Sequence, residues 1–191
     1  MQFTTHTVET APEGSQPLLE KSLKAWRMIP NLHAVMAESP QSLQAYQDLH
    51  HLFTQTSLTA EERSVVWLTV STANECHYCV PAHTAIAHMD GLEQPLIDSL
   101  RTGESLADAK LEARRQFTLA LVKKNGQVSD EEQSAFLAAG YEPKHALEVL
   151  VGIAQKTLSN FVNHLAQTPL DDFAKKYAWT PSETSEVQSA S

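Results

Sequence analysis

The sequence predicts an all-α fold in a single domain, on three observations. Apolar residues recur at i, i+3 and i+4 in one segment after another, most clearly from Pro143 to Ala166. Two capping boxes, Thr59 with Glu62 and Ser129 with Glu132, mark helix starts. No convincing pair of strands, internal repeat or hairpin turn interrupts that pattern. At 191 residues, 42% hydrophobic and 19% charged, the chain is long enough and apolar enough to bury a core.

Taken in order, residues 1–16 are polar, contain Pro12 and Gly14, and read as a flexible segment. Leu18, Leu19, Leu23, Trp26 and Met28 predict a short amphipathic helix that stops before Pro30. Leu32, Val35 and Met36 predict another, and Ser39-Pro40 opens a third carrying Leu43, Tyr46, Leu49, Leu52 and Phe53. After the Thr59 cap, with Leu58 placed as a hydrophobic staple, Val65–Val70 is apolar nearly all round, as a central buried helix would be. Asn74-Glu75 reads as a kink, Cys76 to about Met89 as the next helix, and Gly91 as its stop. Further helices are expected over Gln94–Leu100, Ala107–Lys124, from Ser129 to Gly140, and Pro143–Ala166. In the last, Leu147, Leu150, Val151, Ala154, Leu158, Phe161, Val162 and Leu165 form one stripe. The helical domain is thus 17–173, and 174–191 reads as a flexible tail.

The chemistry concentrates in Asn74-Glu75-Cys76-His77-Tyr78-Cys79-Val80-Pro81-Ala82-His83, which holds both cysteines of the chain. Their spacing lets two sulfurs meet across one helical turn. On a helix, Cys79 and His83 are i, i+4 neighbours, and a nearby imidazole or helix N-terminus lowers a thiol from roughly 8.5 into the range of about 3.5–7.5. The segment reads as a redox dithiol with a base beside it. The formal net charge of −9 argues against nucleic acid or an anionic membrane as a partner. No apolar run approaches the ~20 residues that span a bilayer, and no basic head precedes an apolar block at the N-terminus, so a cytoplasmic location is expected.

Glu-Cys-His-Tyr-Cys-Val-Pro-Ala-His resembles the Cys-x-x-Cys-x-x-x-His core of the AhpD-like alkylhydroperoxidases, within the carboxymuconolactone decarboxylase superfamily. Pro30-Asn31-Leu32, Leu58 to Arg63, Gly126-Gln127-Val128-Ser129, Ala139-Gly140-Tyr141 and Asn160 to His164 resemble its peroxidase-related branch. The resemblance implies an AhpD-like helical bundle assembling as a homo-trimer or hexamer. It also implies a peroxidase or disulfide reductase acting on organic or hydrogen peroxide, with no cofactor beyond a redox-active disulfide. It maps the peroxidatic thiol onto Cys79, the resolving thiol onto Cys76 and the base or proton shuttle onto His83. A sulfenic acid on one cysteine condenses with the other to a disulfide, which an external dithiol reduces, a dihydrolipoyl group in the best-known branch. Two positions depart from the pattern. Ser64 stands where the family usually has a relay Glu, and Glu61, three residues earlier on the same helical face, is the candidate substitute. Glu75 stands where Gly is common, and a carboxylate there opposes ionisation of Cys76.

Blander readings stand beside these. Cys76 and Cys79 could be small core residues, or zinc ligands with His83 and one of His77 or His88, although candidates crowded on one helix close a tetrahedron poorly. A redox sensor without turnover is the alternative that Ser64 motivates, and a lactone decarboxylase has no use for the cysteine pair. His50-His51 reads as an exposed helix face, Trp67 as core, and Lys123-Lys124 as a complement to a helix dipole. Tyr78 reads equally as a gate or as packing. His164 with Asn160 and Asn163 reads equally as an active-site or inter-subunit cluster and as a solvated face.

Overall fold

The computed structural model describes residues 1–181, and among them there is no strand. Nine α-helices follow one another: α1 (Gln16–Trp26), α2 (Asn31–Met36), α3 (Pro40–Thr54), α4 (Ala60–Ala73), α5 (Cys79–Met89), α6 (Gln94–Thr102), α7 (Ala109–Lys123), α8 (Asp130–Ala138) and α9 (Pro143–Ala166). Helix ends obey the sequence chemistry. Ser39 Oγ accepts from Ser42 N to start α3, both capping boxes form at α4 and α8, and Asp108 caps α7. Gly91 and Gly103 take positive φ where α5 and α6 end. Among the described residues no helix is long and apolar enough to cross a membrane.

α4 is the axis of the bundle. Every residue from Ser64 to Ser71 is buried, which matches its all-round apolar character. α9 lies across α3 and α4, and its approach is close because Gly152 leaves room for Phe53 and Val66. Three apolar clusters result, one of them gathering Leu19, Leu32, Leu43, Tyr46, Tyr78 and both cysteines between α1–α3 and the start of α5.

Four differences from expectation have physical causes. First, α5 begins at Cys79, not Cys76: Glu75 takes φ 51°, and the turn leaves Cys76 ahead of the helix, where its Sγ accepts from Cys79 N at 3.2 Å. Second, the N-terminal segment is irregular but tied down. His6 N donates to Ala34 O, Ser15 Oγ donates to Ala37 O, and Ala11 is buried. Third, the start of the tail is packed. A 3-10 stretch, Asp172–Tyr177, lies on α5, and Arg101 Nη1 donates to Tyr177 O at 3.1 Å. The remainder of the expected tail, 182–191, lies outside the described residues. Fourth, the apolar stripe of α9 faces the core only in part: Val151, Leu158 and Val162 pack against it, but much of the stripe is turned outward. Leu147, Phe161 and Leu165 are 67%, 61% and 60% exposed, whereas Gln155, Lys156, Ser159, Asn160 and Asn163 are buried.

Candidate active site

That inverted helix face builds the site. Lys156, Ser159, Asn160 and Asn163 fall at i, i+3, i+4 and i+7, one side of α9, and turn toward the two thiols at the start of α5. Both cysteines are buried and unlinked. Asn163 Nδ2 donates to Cys79 Sγ at 3.2 Å and lies 4.0 Å from Cys76 Sγ, and Ser159 Oγ is 3.8 Å from Cys79 Sγ. Asn160 is held apart from the sulfurs, its Oδ1 accepting from Asn74 Nδ2 at 2.9 Å, and His164 is exposed, so the Asn–Asn–His cluster divides.

These contacts split the thiols. Burial opposes ionisation of Cys79. A hydrogen bond from the Cys76 thiol, the positive charge of Lys156 and the Asn163 and Ser159 side chains outweigh it and hold Cys79 below the ordinary thiol range. Cys76 is pushed up, first by donating that hydrogen bond and then by burial and the neighbouring negative charge. One proton thus stays on Cys76, and the thiolate sits on Cys79.

His83 is not the partner of the sulfur that its spacing suggested. Its Nε2 lies 2.8 Å from Lys156 Nζ, a contact buried from solvent, and its ring stands 4.9 Å from that of Trp67. Burial, then Lys156 and His50, hold the imidazole well below its ordinary pKa, so it is neutral. A lysine nitrogen paired this way donates, hence Nε2 accepts and the ring proton is on Nδ1. That Nδ1 is buried without a hydrogen-bond partner. The same logic fixes a second ring. The Trp67 indole N–H donates to Gln155 Oε1 at 2.7 Å, so Gln155 Nε2 donates to His50 Nδ1 at 3.1 Å and the His50 proton is on Nε2. A third ring, His33, meets Ser22 Oγ at 2.8 Å through Nδ1. Burial holds both His33 and His50 down to about 4, with His50 also acting on His33 and Lys156 on His50.

Cys79 and His83 share a cavity of about 250 Å3 with Tyr46, Tyr78, Ala82 and Lys156. His33 and His50 line it too, so His50 is not the exposed helix face that was expected; His51 is exposed. Tyr78 is pinned in the cavity wall: its hydroxyl donates to Asp171 and accepts from Leu32 N at 3.2 Å.

Residues 40–121 match the carboxymuconolactone decarboxylase family. The matched stretch includes Cys76, Cys79 and His83. Among solved structures, the AhpD core of an uncharacterized peroxidase-related protein from Ralstonia eutropha JMP134 superposes with a TM-score of 0.78 at 22% identity, over 90% of this chain and 92% of its own. A peroxidase-related protein from Silicibacter sp. TM1040 gives 0.76 at 16% identity, over 91% and 95%. The debrominase Bmp8 gives 0.75 at 16%, over 91% and 94%. At these identities the likeness is one of fold. No curated protein matches the sequence.

The expected site residues do not all converge. Cys76 and Cys79 come together, and His83 lines the same cavity as Cys79 while pairing with Lys156. Glu61 sits exposed in the first turn of α4, outside the buried cluster, so the candidate relay acid is not brought to the imidazole. Ser64 is buried, its Oγ without a partner. His77 and His88, the candidate fourth metal ligands, point elsewhere, toward Trp179 and Tyr177. Among the described residues no group of three or more His, Cys, Asp or Glu side chains is arranged to hold a metal ion. Sequence reasoning missed Lys156, although the polar spacing Lys156, Ser159, Asn160, Asn163 was a signal for it.

Proposed function

We propose that this protein is a thiol-dependent peroxidase in which Cys79 reduces a hydroperoxide and Cys76 resolves the product. The observation that carries the reading is the asymmetric thiol pair beside a buried Lys156–His83 contact, 2.8 Å long. The Cys79 thiolate attacks the terminal oxygen of a hydroperoxide. A sulfur–oxygen bond forms, the O–O bond breaks, and the alkoxide leaves. The His83 Nδ1–H, which has no protein acceptor, gives that alkoxide its proton, and Lys156 replaces it at Nε2. Cys76 then attacks the sulfenic sulfur of Cys79, losing its proton as hydroxide leaves as water, and a Cys76–Cys79 disulfide results. A dithiol returns both sulfurs to the reduced state with oxidation of the dithiol. Lys156 thus takes the place of an acid in the relay, supplying a proton and stabilising the thiolate by charge.

The test is anaerobic titration of reduced protein with hydroperoxide. Cys79→Ser should abolish hydroperoxide consumption, and Cys76→Ser should stop at a sulfenic acid that dimedone traps. Turnover retained by Cys79→Ser sinks the mechanism. A redox sensor on the same scaffold is favoured by Ser64, whose buried hydroxyl keeps its proton near neutrality and cannot act as a relay acid. It would show reversible disulfide formation but no steady-state consumption when dihydrolipoamide is supplied.

A further inference from the structure

We propose that the molecule reaching Cys79 is a hydroperoxide built on a single aromatic ring, held against the rings that line the cavity. This deepens the peroxidase reading and rests on it for the reaction, though not for the binding.

Size comes first. A cavity of 150 Å3 accepts benzene, so in proportion about 250 Å3 accepts roughly ten carbon-sized atoms. That is one ring with a short substituent. It is more than hydrogen peroxide or a tert-butyl group fills, and less than a long acyl chain needs. Shape comes second. Trp26, His33, Tyr46, His50, Tyr78 and His83 all line the wall with rings. A flat aromatic guest gains about 0.5–1.5 kcal/mol per well-placed ring pair beyond its area, whereas an aliphatic guest does not.

Charge comes third. The wall imidazoles are neutral because burial disfavours their charged forms. Among the described residues Lys156 is the sole lysine or arginine in the lining, and its Nζ is engaged by His83. A fatty-acid carboxylate therefore finds no free cation inside. The uncommitted Nε2–H of His50 offers one donor, enough for a neutral oxygen substituent. At the mouth, Trp26, Met89 and Phe173 are 42%, 66% and 38% exposed, an apolar collar through which such a molecule enters.

The experiment uses the reduced full chain in single turnover, following thiol loss with cumene hydroperoxide, hydrogen peroxide, tert-butyl hydroperoxide and a long-chain fatty acid hydroperoxide. The expected result is oxidation by cumene hydroperoxide at least about tenfold faster than by each of the others. A smaller ratio, or a faster reaction with the acyl substrate, overturns the proposal. A second arm measures cumyl alcohol binding through tryptophan fluorescence, which needs no thiol chemistry. Saturable binding without any thiol oxidation sinks the peroxidase reading and keeps the ring-binding cavity. Hydrogen peroxide consumption with no cumyl alcohol binding does the reverse. Ala82→Leu, which fills the cavity, should lower the cumene-to-hydrogen peroxide ratio at least about tenfold. If that variant fails to fold, Ile86→Phe, at the partly exposed side of the same wall, gives the same readout. An unchanged ratio in the folded variant overturns the proposal.

Discussion

At the scale of single residues, a lysine 1% exposed in an apolar surrounding needs a reason, because an unpaired buried charge is costly. Here the Cys79 thiolate supplies the opposite charge and His83 the hydrogen bond. Lys156→Met keeps the bulk and removes both interactions. Cys79 should then titrate closer to an ordinary thiol, and its alkylation by iodoacetamide at about pH 6 should fall at least tenfold while recovering at high pH. Equal rates for variant and wild type near pH 6 would show that the lysine does not hold the thiolate. The linkage has a definite sign. The pKa of Cys79 is depressed on folding, so the stability it confers is complete above the ordinary thiol range and is lost as pH falls. The polar spacing of α9 marked Lys156, but its role comes from a contact seventy-three positions away in sequence, to His83, which no local motif encodes. The cysteines and histidine were legible because their spacing is local.

Among the elements, α9 shows what sequence pattern resolves and what it does not. Its boundaries, Pro143–Ala166, followed from Pro at the first position and the helical period, and the structure reproduces them. Its orientation did not follow. The pattern says that one face is apolar but not whether that face meets the core, and here the polar face was needed inside to surround the thiols. α5 erred differently, since the positive φ of Glu75 that delays its start has no signature in a non-glycine residue. The seat of α9 depends on Gly152. A Cβ there would lie 2.6 and 2.8 Å from ring atoms of Phe53 and 2.9 Å from Val66 Cγ1. Gly→Ala in a helix interior usually gains about 1 kcal/mol, whereas overpacking a core costs about 1–3 kcal/mol. Phe53 is fully buried and cannot swing away. Gly152→Ala should therefore lower the thermal midpoint, as followed by circular dichroism; a raised midpoint would mean that α9 can shift without loss.

For the whole molecule, the two unusual surfaces make separate demands. The inner one carries His33 and His50, neutral and held down to about 4 by burial. Unfolded, they would bind protons near 6.5. Between those values the unfolded chain holds more protons, so the stability these rings confer is present above about pH 6.5 and drains away toward pH 4. Urea midpoints measured across that window should fall with pH, and His50→Gln should flatten the dependence. The outer surface is the exposed part of the apolar stripe of α9. Leu147, Leu150, Phe161 and Leu165 are 67%, 42%, 61% and 60% exposed along one face, and Leu52 of the neighbouring α3 is 57% exposed. Monomers rarely leave a contiguous apolar patch of that kind in water, and each such side chain gains about 1.5–3 kcal/mol on full burial. A second copy of this chain is the economical cover, because an identical stripe is always available to pack against it. Light scattering after gel filtration at micromolar concentration should give a mass above 21.1 kDa. Leu147→Glu with Phe161→Glu should return the monomer with its helicity intact. A wild-type chain that stays monomeric at all concentrations would leave the stripe to some other partner and remove self-association as its purpose.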